Sequence, residues 1–145
     1  MRVPRVALRL LWAYHRLLDR VTGGRFDTSR YGGPTLWLTT VGRRSGRRRE
    51  NALTYIEHDP NLVVVASNAG HADDPAWWLN LRSAPDTTIR LAGQPPRAIH
   101  AREAKGAERA DLWARFVRRY PQYGDYEHQT RRRIAVIVLE PRNVT

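Results

Sequence analysis

The chain contains no cysteine. Disulfides, thiolate metal sites, iron–sulfur clusters and a Cys nucleophile are excluded at once. Long apolar runs are missing too. A stretch such as Ile134 to Leu139 falls far short of the roughly 20 residues that span a bilayer. Near the start, Arg2, Arg5, Arg9, Arg16 and Arg20 interrupt any secretory h-region, so a cytoplasmic protein is expected. No HExxH, GxSxG elbow, Walker A loop or GxGxxG after a strand occurs. The five histidines never reach metal-ligand spacing, and His71 with Asp73 and Asp74 reads as a solvated loop. No metal site is expected, and hydrolysis by a recognisable triad has no support.

Acidic residues are scarce: 14 against 25 basic ones, a formal charge of +11. Of those cations 24 are arginine, and Lys105 is the only lysine. A guanidinium surplus suits phosphates and carboxylates, because its planar fork donates two parallel hydrogen bonds. Codon usage is the bland source of Arg over Lys, but it does not explain the net sign. An anionic partner is expected: a phosphorylated cofactor, a nucleic acid or an acidic membrane surface.

The 145 residues, 41% hydrophobic and 27% charged, suit one domain spanning residues 1–145. Val3, Val6, Ala7, Leu10, Leu11, Tyr14, Leu17, Leu18 and Val21 recur at helical spacing, predicting an amphipathic helix over residues 1–22. Such a helix covers its own core or lies on an anionic bilayer. Short β-branched and aromatic runs follow at residues 35–40, 52–57 and 62–67. The turn His58-Asp59-Pro60-Asn61 joins the last two as a hairpin. Pro75 opens a short helix ended by Pro85, and strands are expected near residues 87–92 and 98–104. A helix follows over 107–119, then a buried central strand over 134–139. About six strands, mostly hairpin-linked with helices inserted, imply an α+β domain built on an antiparallel barrel or strongly curved sheet.

Three segments carry candidate chemistry. In Thr39 to Arg49 a strand ends in threonines, and a glycine-bounded turn then presents five arginines within seven positions. Gly42 and Gly46 expose backbone N–H groups, and the arginines repel one another unless an anion joins them. In Ala66-Ser67-Asn68-Ala69-Gly70 a buried strand ends in small polar residues before the aromatic helix that starts at Pro75. That helix N-terminus and the Ser67 hydroxyl suit an anion or a ring carbonyl, while Trp77 and Trp78 also fit a core. Finally Tyr120, Tyr123 and Tyr126 would share one helical face, with Pro121 at the first helical position. Such a face suits a flat ligand or ordinary core packing.

These segments, in this order, resemble the deazaflavin-dependent nitroreductase and quinone reductase family of actinobacteria. The likeness runs from the first helix to Glu140-Pro141, and is most specific in LTTVGRRSGRRR, VVVASNAGHADDPAWWLNL and RYPQYGDYEHQTRRRIAVIVLEP. It implies a split β-barrel that binds coenzyme F-420, whose phosphate and oligoglutamate tail are anionic. It further implies hydride transfer from the reduced coenzyme to a quinone, nitroaromatic or similar flat acceptor. By motif, Arg43, Arg44 and Arg49, with Ser45 and Gly46, would hold the phosphate and tail. Ala66, Ser67, Asn68, Pro75, Trp77 and Asn80 would surround the deazaflavin. Ser67, Tyr120, Tyr123 and Tyr126 would serve the acceptor, holding the developing anion or donating a proton. Two departures stand out: Arg48 replaces the family's usual proline, and Glu50 adds a competing anion beside the arginines.

Two rival readings fit the same residues. An FMN-binding split-barrel reductase shares the fold, but one phosphate hardly needs five arginines. A non-enzymatic basic module would use the arginine loop on phosphates and the first helix as a membrane anchor. Against nucleic acid, the arginine cluster has no interleaved aromatics.

Overall fold

A computed structural model describes residues 34–143. The helix expected over residues 1–22 lies outside the described residues. Seven strands form one sheet: β1 (Thr35–Val41), β2 (Arg48–Thr54), β3 (Ile56–His58), β4 (Asn61–Val65), β5 (Asp86–Leu91), β6 (Arg97–Glu103) and β7 (Val136–Pro141). Helix α1 (Ala76–Ser83) lies between β4 and β5, and α2 (Gly106–Arg119) and α3 (Gln122–Gln129) between β6 and β7. The strand order is β2-β1-β5-β6-β7-β4-β3, and every pairing is antiparallel.

This order makes the sheet curl. β2 and β3 sit at its opposite edges, yet only Tyr55 separates them along the chain. The two edges must therefore meet at that residue, which bends the sheet into a split barrel. The α+β class expected from the sequence holds, with one correction to the strand count. Residues 52–57 are not one strand hairpinned to the next. Residues 48–54 pair with β1, and only 56–58 pair with β4. The period-two pattern runs unbroken through Tyr55, with Leu53 and Tyr55 in one core and Ile56 in the other. Alternation reports which face a side chain takes, not which strand it pairs with, so two strands read as one. The hairpin at Asp59-Pro60 joins β3 to β4, with His58 opposite Asn61.

Both faces of the sheet are filled. Inside the curl, Leu36, Leu38, Val64, Ile137 and Leu139 pack on Trp77, Trp78 and Leu81 of α1. Outside it, Val63, Val65, Val136 and Val138 pack under Leu112 and Phe116 of α2. β7 is the central strand predicted, flanked by β6 and β4, and Val136, Ile137 and Val138 have no exposed surface. A strand covered on both sides carries a continuous apolar run rather than an alternating one.

Candidate active site

The turn between β1 and β2 is closed by its own backbone. Gly42 N–H donates to the Arg47 carbonyl at 2.8 Å, and Gly46 N–H to the Gly42 carbonyl at 2.8 Å, so the two glycine N–H groups expected to be exposed for an anion are spent inside the turn. A Cβ on Gly42 would stand 2.5 Å from Ser45 Oγ and 3.5 Å from Arg49 Nε, so a larger residue there would push the Ser45 hydroxyl aside. Ser45 Oγ accepts a bond from Arg47 N–H at 3.2 Å. Gly46 takes φ +69°, the left-handed region that favours glycine. Arg43, Arg44, Arg47, Arg48 and Arg49 are all exposed.

Strand register sorts these arginines. Arg49 lies opposite Thr40, and Leu53 opposite Leu36. Since Leu36 and Leu53 point into the curl, alternation sends Thr40 and Arg49 to that same inner side. Arg48 and Glu50 take the outer side. Both departures from the family pattern thus lie across the sheet from Arg49. Thr40 is 2% exposed, and its hydroxyl has no partner among the described residues. A buried hydroxyl left unbonded costs on the order of 1–3 kcal/mol, which a ligand donor or acceptor would relieve.

Asn80 ties this turn to α1. Its carboxamide oxygen accepts from Arg43 N–H at 3.1 Å and from Arg43 Nη1 at 3.0 Å. The residue is 3% exposed, so the bond holds the turn against the barrel mouth. Trp77 and Trp78 are both buried in the inner core, and Pro75 is the cap residue before the first turn of α1.

The loop between β4 and α1 is strained. Ser67 is right-handed (φ −70°, ψ −33°), then Asn68 and Ala69 take φ 47° and 51°, and Gly70 φ 78°. Asparagine tolerates that region, but Ala69 there costs about 1–2 kcal/mol. A right-handed residue followed by a left-handed one turns successive N–H groups into one concavity. Asn68 Nδ2 donates to the Asp73 carbonyl at 3.0 Å.

Arg132 is the residue the sequence did not single out. Its guanidinium donates to the carbonyls of Ala66 (3.0 Å), Ser67 (2.8 Å) and His71 (3.1 Å), and to Asp74 Oδ1 (3.1 Å). Burial pulls its pKa below the ordinary arginine value, while Asp74 and Asp73 pull it back up. Among three consecutive arginines, Arg131 to Arg133, nothing local marks the middle one; only the fold turns it inward.

The tyrosines form a row, in a register that differs from the one expected. Pro121 is the cap and α3 starts at Gln122, so Tyr120 precedes the helix. Ring centroids lie 6.1 Å apart from Tyr120 to Tyr123 and 5.3 Å from Tyr123 to Tyr126. The Tyr120 hydroxyl donates to the buried Tyr55 carbonyl at 2.8 Å, so it serves the corner where the sheet closes. Burial raises all three phenols, Tyr123 to about 12. At neutral pH all three phenols therefore stay protonated. Elsewhere, a cleft of about 330 Å³ is lined by Tyr55, Glu57, Arg115 and Arg119 among others. There Arg115 Nη1 donates to His58 Nδ1 at 2.8 Å, and Arg119 lies 4.7 Å from the centre of the Tyr120 ring, so both cations already face protein groups.

The three segments therefore converge. The arginine turn meets α1 through Asn80, the loop before α1 meets the segment after α3 through Arg132, and α3 lies on the Asn68–Gly70 turn. Among known proteins, a family model described as F420H(2)-dependent quinone reductase matches residues 9–141. A Mycobacterium tuberculosis protein, Rv3178, whose name ascribes that activity to it, is 41% identical over 109 residues, 75% of this chain and 91% of its own. F420H(2)-dependent quinone reductase Rv1261c of the same organism is 30% identical over 132 residues, 88% of each chain. Among solved structures, an F420-H2 dependent reductase (FDR-A) superposes with a TM-score of 0.67 at 31% identity, covering 74% of this chain and 94% of its own.

Proposed function

Because the chain belongs to the F420H(2)-dependent quinone reductase family, we propose how its residues divide the work of reducing a quinone. The protein is an oxidoreductase, and reduced coenzyme F-420 is its hydride donor. When bound, the deazaflavin supplies the hydride; the chain supplies binding, alignment and exclusion of water. The site suits a coenzyme with a flat ring and an anionic tail. Exposed guanidinium groups crowd the turn, and the buried Thr40 hydroxyl beside Arg49 wants a partner.

Arg43, Arg44 and Arg49, with the Ser45 hydroxyl donating beside them, hold the phosphate and acidic tail, and Gly46, whose N–H is spent on the Gly42 carbonyl, shapes the turn that presents them. Ala66, Ser67, Asn68, Pro75, Trp77 and Asn80 frame the ring side. Ser67 donates a hydrogen bond to charge developing on the acceptor. Tyr123 and Tyr126 wall the acceptor, which is a quinone or a nitroaromatic of similar shape. Tyr120 supports that wall through its bond to Tyr55. One observation carries this reading: the Arg43–Asn80 bond joins the anion-binding turn to the helix beside the Ser67 loop. The whole chain works as one such domain in the cytoplasm. Quinones partition into bilayers, so the inner membrane face is where the substrates meet. Vesicle sedimentation with and without residues 1–22 tests attachment there, and equal pelleting would retire it.

The test is a fluorescence titration with oxidised coenzyme F-420 beside FMN, at two salt concentrations. Tight binding of the deazaflavin alone, weakened by salt, is expected. Removing Arg44 and Arg49 together should weaken it about 30-fold at low salt, from roughly 1 kcal/mol for each surface charge. Equal affinity for FMN, or binding indifferent to salt, would overturn the assignment.

A further inference from the structure

We propose that Arg132 is a positioning residue for hydride transfer, holding the Ser67 loop in register with the tyrosine helix. The inference rests on the reading above and deepens it. Arg132 follows α3 by three residues and is 14% exposed at its side chain. It reaches back across 58 to 66 positions of sequence to grip the loop at both ends: Ala66 and Ser67 on one side, His71 and Asp74 on the other. Between those anchors lie the left-handed residues Asn68, Ala69 and Gly70. A second contact comes from the same direction, because Gln129 at the end of α3 closes on Gly70. A Cβ there would stand 2.8 Å from Gln129 Oε1.

The chemistry of the grip is specific. Four acceptors in a fan require a planar fork of donors, which guanidinium has and ammonium lacks. Three of the four are backbone carbonyls, so the loop's backbone path, and not merely a side chain, is fixed. Near-attack geometry tolerates little error, and a loop released by a fraction of an ångström misplaces whatever Ser67 and its neighbouring N–H groups hold. Arg132 thus sets the distance between the segment proposed for the coenzyme and the helix proposed for the acceptor.

The experiment compares wild type with Arg132→Gln, Arg132→Lys and Asp74→Asn, binding the whole coenzyme and the deazaflavin riboside that lacks phosphate and tail. Wild-type binding of the whole coenzyme checks the underlying reading, and its absence would refute that reading first. For R132Q, about tenfold weaker binding is expected for coenzyme and riboside alike, together with a tenfold or greater fall in kcat at saturating quinone. R132K should behave nearly as R132Q despite its charge. D74N, which keeps the three carbonyl contacts, should lose no more than about threefold. A role confined to stability would lower Tm and leave both dissociation constants of the folded protein unchanged; that result overturns the proposal. So does loss of affinity for the whole coenzyme alone, which would make Arg132 one more tail-binding cation. Should R132Q fail to fold, R132K is judged by the same criteria.

Discussion

Replacing Tyr120 by phenylalanine separates a framework role from a chemical one. The phenol is 2% exposed and its hydroxyl donates to the Tyr55 carbonyl at 2.8 Å. Tyr55 is the single residue through which the chain passes from one edge of the sheet to the other, so its carbonyl lies at the corner of the barrel. Phenylalanine keeps the ring against Phe116, whose centroid is 5.2 Å away, and forms no cavity. The loss is the donor alone, which leaves a buried carbonyl unsatisfied at a cost of about 1–3 kcal/mol. At a midpoint of about 2 kcal/mol, a domain of this size should lose roughly 6 °C in Tm. Urea unfolding should shift its midpoint without a change of slope, because no new surface is exposed. Turnover by the folded fraction should stay within about threefold of wild type, since the bond sits in the framework. A Tm unchanged within a degree, with turnover down tenfold, would refute this reasoning and return Tyr120 to the reacting atoms.

Gly42→Ala should push Ser45 Oγ off the Arg47 N–H and weaken coenzyme binding a few-fold to tenfold, about 1 kcal/mol, with little change in Tm. In a double-mutant cycle, G42A and Ser45→Ala should be strongly non-additive, and simple additivity would show that the turn is not shaped by that contact. Alkaline stability should fall between pH 10 and 12. Unfolded tyrosine ionises from the ordinary value of 10.0, while burial holds Tyr123 protonated to about 12 in the fold, so rising pH favours the unfolded chain. Tyr123→Phe should flatten the pH dependence of the urea midpoint in that window; an unaltered profile would remove Tyr123 as its source.

Much of the candidate site was legible in the sequence as local pattern, because its segments are short and contiguous. Five arginines within seven positions, two between Gly42 and Gly46 and three just after, announce a turn of dense positive charge, whatever surrounds it. Ile134 to Leu139 announces a strand covered on both faces, and β7 is that strand. Alternation at residues 52–57 gave the right faces and the wrong partners, since pairing depends on where the chain goes after Tyr55. Local pattern is likewise silent on Arg132, whose neighbours Arg131 and Arg133 are chemically identical to it. Tertiary structure alone selects it, by bringing carbonyls 58 to 66 residues away within reach of one guanidinium. It also buries the Tyr120 phenol against a carbonyl 65 positions distant and points Asn80 at Arg43. Composition and periodicity determined the class of fold and the surplus of positive charge, because both follow from residue content and short-range pattern. Which donors are spent on the framework and which remain for a ligand was decided only by folding, since satisfying a buried polar group is a question of who stands beside it in space.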